Sequence, residues 1–294
     1  MQYNARIIMN IAIFGNEYQQ QHIDGIACLV SVLRQRGVKT SVEAKFHEFL
    51  TKAGVELADV SPFDAHHVPD VDMAMSLGGD GTFLTTVMWI GSRQTPIVGI
   101  NTGHLGYLTA YQLDEANEAV GQLLAGDYDV EERTMLEAHC QGVDIRHPYA
   151  LNDIAILRHD TSAMLEMETQ LSGKTLTTYQ GDGLIVSTPT GSTAYNLSAG
   201  GPIMAPSTRC VVLSPVSPHS LTMRPLVVPD DEVVTITTRS RACHYQLSVD
   251  GEEHVCPTGS TVTVRKAPFK AFVVLPRGRH FTTALRQKLH WGTH

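Results

Sequence analysis

At 294 residues, 43% hydrophobic and 18% charged, the chain can bury a full core and is expected to form two domains. This composition excludes a disordered protein, no apolar run approaches the roughly 20 residues of a membrane helix, and so no membrane partner is expected. A net charge of −8 argues against a nucleic-acid partner, because phosphate backbones select basic surfaces.

The start, "MQYNARIIMNIAIFGN", has a short apolar run broken by Asn10 and no small-residue cleavage site, so a cytoplasmic protein is expected. Residues 1–8 read as an extension outside the fold. "NIAIFGN" is a first core strand. Ile23, Ile26, Ala27, Val30 and Leu33 then recur at helical spacing, with Gly37 as the stop. "VKTSVEA" and "VDMAMSLGG" read as the next strands. Phe83, Leu84, Val87, Met88 and Ile90 form a helical face, "TPIVGIN" is a further strand, and "LDEANEAVGQLLAGD" is an amphipathic helix stopped near Gly126. Strands alternating with helices predict an α/β domain over residues 1–126, with a parallel Rossmann-like sheet covered on both faces.

From residue 127 the pattern changes to short strand-like runs broken by glycine and proline, among them "TMLEAHC", "YALNDIAIL", "LEMETQLSG", "DGLIVSTP", "EVVTITT", "STVTVRK" and "AFVVLP". They predict an all-β domain over residues 127–275. "FTTALRQKLHW" is helical again, and residues 276–294 are expected to return to the first domain. Five cysteines, odd in number and without a C-x-x-C pair, fit reduced thiols. Cys243-His244 and His254-x-Cys256 lack zinc spacing and read as strand residues, so no protein metal site is expected. After Glu253 there is no acidic residue, whereas Arg265, Lys266, Lys270, Arg277, Arg279, Arg286 and Lys288 follow: a solvated basic face, or a surface that meets phosphates or an acidic partner.

Chemistry concentrates in two segments. "LGGDGTFL" (77–84) leaves a buried strand through glycines into a helix, where backbone N–H groups and the helix N-terminus suit a phosphate. Asp80 would repel that anion unless it abstracts a hydroxyl proton or holds a metal ion; a tight turn with Asp80 as helix cap is the plainer alternative. Neither G-x-G-x-x-G nor the Walker pattern is present. The second segment, "YQGDGLIVSTPTGSTAYNLSAGGPI" (179–203), surrounds Tyr195 with glycines and hydroxyl residues that can follow a flat polar ligand closely. "LNDIAI" sets Asn152 and Asp153 at the start of a buried strand, where polar residues need a cap to make or a ligand to bind. "VDGEE" (249–253) reads first as a hairpin turn.

In this order and spacing, "GGDGTFL", "GINTGHLGYLT", "NDIAIL", "GDGLIVSTPTGSTAYNLSAGGPI" and "VDGE" resemble the NAD kinases, from about residue 9 to the C-terminus. The resemblance implies an α/β, phosphofructokinase-like N-terminal domain, an all-β NAD-binding domain, an active site between them, and a homodimer or homotetramer. It implies phosphoryl transfer from ATP with Mg²⁺ to the 2′-hydroxyl of the adenosine ribose of NAD, with Asp80 as general base and Gly81 clearing the backbone. By the same resemblance Asn152 and Asp153 recognise NAD, and Thr193, Ala194, Tyr195, Asn196, Leu197 and Ser198 line its adenosine and pyrophosphate. Asp182 lies toward the nicotinamide, and Asp250 matches an acidic position near the substrate. Gln180 stands where several relatives carry a basic residue, which leaves the choice between NAD and NADH open, and Ala163 where some have a longer polar or basic one; the donor is open as well, because ATP, other nucleotides and polyphosphate are all used within the family and no local motif separates them. A lipid or sugar kinase would share only the glycine motif, and a non-catalytic nucleotide-binding regulator would gain nothing from Asp80.

Overall fold

The computed structural model describes residues 9–103, 106–159 and 163–289. It comprises two compact units, one running to Glu132 and resuming at Ala271, the other Arg133–Lys270.

The first unit contains β1 (Asn10–Phe14), α1 (Ile23–Gln35), β2 (Lys39–Glu43), α2 (Ala44–Lys52), β3 (Val60–Phe63), β4 (Met73–Leu77), α3 (Asp80–Ile90), β5 (Ile97–Asn101), β6 (Tyr111–Gln112) and α4 (Ala116–Ala125). Its strands pair in parallel in the order β3-β2-β1-β4-β5, and Val273 and Val274 add alongside Ile97 and Val98. Every residue of β4 and β5 is buried, as a parallel sheet covered on both faces requires. Ile26, Leu29, Val30 and Leu33 form the buried face of α1. Gly37 and Gly126 take positive φ (74° and 69°) at the ends of α1 and α4, the helix-stop conformation expected of them.

Two elements escape the periodicity reading. Helix α2 buries only Phe46 and Leu50, with Phe49 half-buried against Phe46, in a segment otherwise mostly polar. Strand β3, "VSPF", contains Pro62 and is half exposed, which an edge strand tolerates because the missing N–H faces no neighbour.

The second unit is built from antiparallel strands. β7 (Tyr128–Cys140) leads into it, followed by β8 (Tyr149–Ala150), β9 (Asp153–Arg158), β10 (Leu165–Leu171), β11 (Lys174–Gly181) and β12 (Gly183–Ser187). The short helix α5 (Tyr195–Ser198) precedes β13 (Cys210–Val216), β14 (Leu226–Pro229), β15 (Val234–Arg239), β16 (His244–Val249), β17 (Glu252–Pro257) and β18 (Thr261–Pro276). One sheet runs β14-β13-β12-β9-β16-β17 and the other includes β11-β10-β15-β18. Ile156, Val186 and Leu247 from the first sheet meet Met167, Ile236 and Val262 from the second in one core.

"YALNDIAIL", read as a single strand, is broken at Leu151 and Asn152 into β8 and β9. Conversely "STVTVRK" and "AFVVLP" are one strand, β18, which runs through an exposed Pro268. After β18 the helix α6 (Phe281–Leu289) belongs to the first unit. No helix among the described residues is long and apolar enough to cross a membrane.

Candidate active site

The three glycines around Asp80 have different reasons to be there. Gly78 takes φ +147°, and a Cβ on it would collide with the side chain of Thr82, so the turn itself demands glycine. Gly79 and Gly81 are exposed, and a Cβ on either would meet nothing within 4 Å. The fold leaves these two positions open, and glycine there lets another molecule approach the backbone. Helix α3 begins at Asp80 without a side-chain cap, so its first N–H groups and positive dipole end are available to a ligand.

The Asp80 carboxylate is fixed from a distant loop. Tyr107 N–H donates to Oδ2 at 2.7 Å and Leu108 N–H to Oδ1 at 3.0 Å. A Cβ on Gly106 would overlap the carboxylate, so this loop can approach Asp80 only with glycine at that position. Lys288 of α6 holds its Nζ 4.6 Å from the centre of the Tyr107 ring. Neither that Nζ nor the Tyr107 hydroxyl has a hydrogen-bond partner among the described residues. Burial lowers the Lys288 pKa to about 8; Asp80 pulls it up and Arg279 pushes it down. Beyond the carboxyl ends of β1 and β2, a groove of about 980 Å³ runs beside the turn, lined among others by Asn16, Phe49, His66, Thr82 and Trp89.

In the second unit the hairpin turn between β16 and β17 carries a second pinned carboxylate. Asp250 and Gly251 both take positive φ (47° and 88°), the type I′ pattern of a two-residue turn. The Asp250 carboxylate accepts three successive backbone N–H groups: Leu151 at 2.6 Å on Oδ2, Asn152 at 2.8 Å and Asp153 at 3.0 Å on Oδ1. The Asn152 carbonyl accepts from Thr188 N–H at 2.9 Å, and a Cβ on Gly191 would overlap it. Asp153 is buried; desolvation, then the Asp250 charge, push its carboxyl up to about 7. Burial lifts Asp250 to about 6 against the three N–H donors that pull it down.

The segment around Tyr195 divides by side-chain direction. Tyr195 is 40% exposed and Ser198 is exposed, whereas Asn196 is fully buried. The Asn196 amide donates to the carbonyls of Ser192 (3.0 Å) and Pro202 (3.1 Å) and accepts from Ser214 Oγ at 2.6 Å. Thr193, Ala194 and Leu197 are partly exposed, and Thr193 Oγ1 donates to the Thr190 carbonyl at 3.4 Å. Asp182 pairs with Arg158 at 3.1 Å.

A family model described as the ATP-NAD kinase N-terminal domain matches residues 11–128, and one described as the C-terminal domain of the same family matches residues 151–275. The chain belongs to the ATP-NAD kinase family. An NAD kinase of Bacteroides fragilis is 41% identical over 288 residues, covering 97% of this chain and 98% of the relative. One of Geobacter sulfurreducens is 40% identical over 289 residues, with 96% and 98% covered. The fold is shared with the crystal structure of yeast NADH kinase complexed with NADH (TM-score 0.88, 22% identity, 98% of this chain and 89% of that one covered). It is also shared with an NAD kinase from Archaeoglobus fulgidus in complex with ATP (TM-score 0.72, 24% identity, 96% and 98% covered). Family membership makes this ATP-NAD kinase chain an enzyme with NAD kinase activity.

Of the residues singled out in the sequence, the structure brings Asp80 and Gly81 together at one turn, and Asn152, Asp153 and Asp250 at another. It turns Asn196 into the protein interior. Gly106 and Tyr107 were not singled out, and Lys288 only as one of a basic run that could meet phosphates. "GINTGHLGYLT" contained the signal for the first two, a glycine-flanked loop after a buried strand, but nothing local ties it to Asp80.

Proposed function

We propose that the enzyme transfers a phosphoryl group from ATP to the 2′-hydroxyl of the adenosine ribose of NAD, giving NADP, with Asp80 as general base. The observation that carries this reading is the Asp80 carboxylate at the open glycine turn, bonded by Tyr107 and Leu108 N–H. Each oxygen gives one lone pair to the loop and keeps another for a hydroxyl proton. The proton need move only late, since the hydroxyl becomes acidic as it bonds to phosphorus. The exposed N–H groups of Gly79, Gly81 and the α3 N-terminus receive the donor's phosphates. The groove beside the turn has room for the rest of the nucleotide. ATP carries Mg²⁺ as part of the substrate, where the ion neutralises the triphosphate; no cluster of three acidic, His or Cys side chains fit to hold a metal occurs among the described residues.

Asp153 accepts ribose hydroxyls of NAD, Asn152 hydrogen-bonds its adenine, and Tyr195 offers an exposed ring for packing. Thr193, Ala194, Leu197 and Ser198 supply the adjoining surface, Asp182 lies toward the nicotinamide, and Asn196 serves from beneath by holding the segment's shape. A soluble cytoplasmic homo-oligomer is the setting we assign.

The test is NADP formation by purified protein from NAD, ATP and Mg²⁺ beside Asp80→Asn, with NAD affinity measured by calorimetry. Loss of several orders of magnitude in turnover with NAD affinity kept supports the base; an Asn variant that turns over at wild-type rate removes it. NADH and polyphosphate, run in parallel, establish acceptor and donor.

A further inference from the structure

We propose that Asp250 is a positioning residue for NAD recognition: its carboxylate gathers the backbone N–H groups that open β9 and so sets the direction of Asn152 and Asp153. This rests on the reading that Asn152 and Asp153 bind NAD. Leu151 and Asn152 lie between β8 and β9, and Asp153 is the first residue of β9. Three consecutive N–H groups there would stand unsatisfied; one carboxylate takes all of them, at 2.6, 2.8 and 3.0 Å. The grip is mutual, since Asp250 N–H donates to the Asp153 carbonyl at 3.0 Å. Asp250 holds a left-handed backbone at φ +47°, which a type I′ Asp-Gly turn accommodates, and its side chain adds the grip on residues 151–153.

The same carboxylate acts through charge. Asp250 is the ionised group that raises the Asp153 pKa, burial being the larger cause. NAD affinity is therefore expected to follow the ionisation of Asp153, rising with pH through about 7, and the midpoint depends on Asp250.

The test combines one variant and one measurement on the wild type. In Asp250→Asn, Oδ1 can still accept from Asn152 and Asp153, while the new NH₂ meets the Leu151 N–H. NAD affinity is expected to fall about tenfold or more, in line with one lost charge-assisted bond, with the KM for ATP within about twofold. The pH midpoint of NAD binding moves down because the like charge beside Asp153 is gone. Wild-type NAD affinity and an unmoved midpoint overturn the proposal.

In the wild type, the amide resonances of Leu151, Asn152 and Asp153 are expected to share a titration step near pH 6 by NMR, the Asp153 amide adding the step of its own carboxyl near 7. Three independent midpoints, or none, also overturn it, whether or not the variant folds. Asn152→Ala and Asp153→Asn test the underlying reading separately: if both keep wild-type NAD affinity, that reading fails even where the three amides move as one.

Discussion

Asp153→Asn offers the sharpest physical test, because it should stabilise the free protein while weakening its ligand binding. The buried Asp153 carboxyl titrates near 7 in the folded chain against an ordinary value of 3.8. Between these pH values the native state holds a proton that the unfolded chain has released, so stability falls as pH rises. The slope is about 1.4 kcal/mol per pH unit, and the whole penalty, reached above pH 7, is about 4 kcal/mol. Asparagine removes that penalty but leaves a buried amide, which costs about 1–2 kcal/mol. The variant should be more stable than wild type by about 2–3 kcal/mol at pH 8, and the advantage should shrink to nearly nothing at pH 5. Urea unfolding of both proteins at pH 5, 6, 7 and 8 measures this directly. Some slope between about pH 4 and 6 should persist in the variant, because Asp250 titrates near 6. Parallel stability curves for wild type and variant across this range would refute the reasoning, as would a variant less stable than wild type at pH 8. Calorimetry should show NAD binding weakened in the same variant, since a charged acceptor for ribose hydroxyls is gone.

Gly106→Ala should reduce turnover by roughly a hundredfold or more, because the added Cβ must displace the Asp80 carboxylate; circular dichroism should be unchanged, and near-normal turnover would contradict the packing. Lys288→Met should flatten the alkaline stability profile. The Lys288 pKa, lowered from 10.5 to about 8, makes the wild type gain stability as pH rises from about 8 to 10.5, and thermal melts of the variant should lack that gain. Asn196→Ala should cost about 3 kcal/mol of stability by stranding the Ser192 and Pro202 carbonyls and the Ser214 hydroxyl, read as a lowered urea midpoint.

The fold was largely legible because well-buried elements show either a continuous apolar run bounded by turn residues, as in β4 and β5, or an apolar period near 3.6, as in α1. It was illegible where burial is slight: α2 presents two buried residues, and β3 carries a proline that only its edge position makes acceptable. The glycine turn could be read because a carboxylate among glycines conflicts with phosphate binding, a conflict visible within eight residues. The bonds that fix that carboxylate could not, since they come from backbone groups 27 and 28 positions away. Asp250 could be read as a hairpin residue, and by resemblance as an acidic position near the substrate, but its hold on residues 151–153 could not, for the same reason: its partners lie 97 to 99 positions earlier. Within "TAYNLS" the sequence offered a motif without directions, and the turn of α5 decides that Asn196 points in while Tyr195 and Ser198 remain exposed.

Both units use one device. A carboxylate is seized by successive backbone N–H groups of a distant segment, two for Asp80 and three for Asp250. Side-chain partners would bring their own rotamer freedom, whereas backbone donors are as rigid as the elements that carry them, and no side-chain substitution removes them except proline. Orientation at each turn is thus set by the fold and not by a neighbouring side chain. The cost appears in the second unit, where two acidic groups sit in surroundings that resist their ionisation. Local preference and native structure conflict there, and such conflicts persist where binding requires them. A protein selected for stability alone would replace Asp153; its retention in this chain is what the proposed contact with ribose hydroxyls explains.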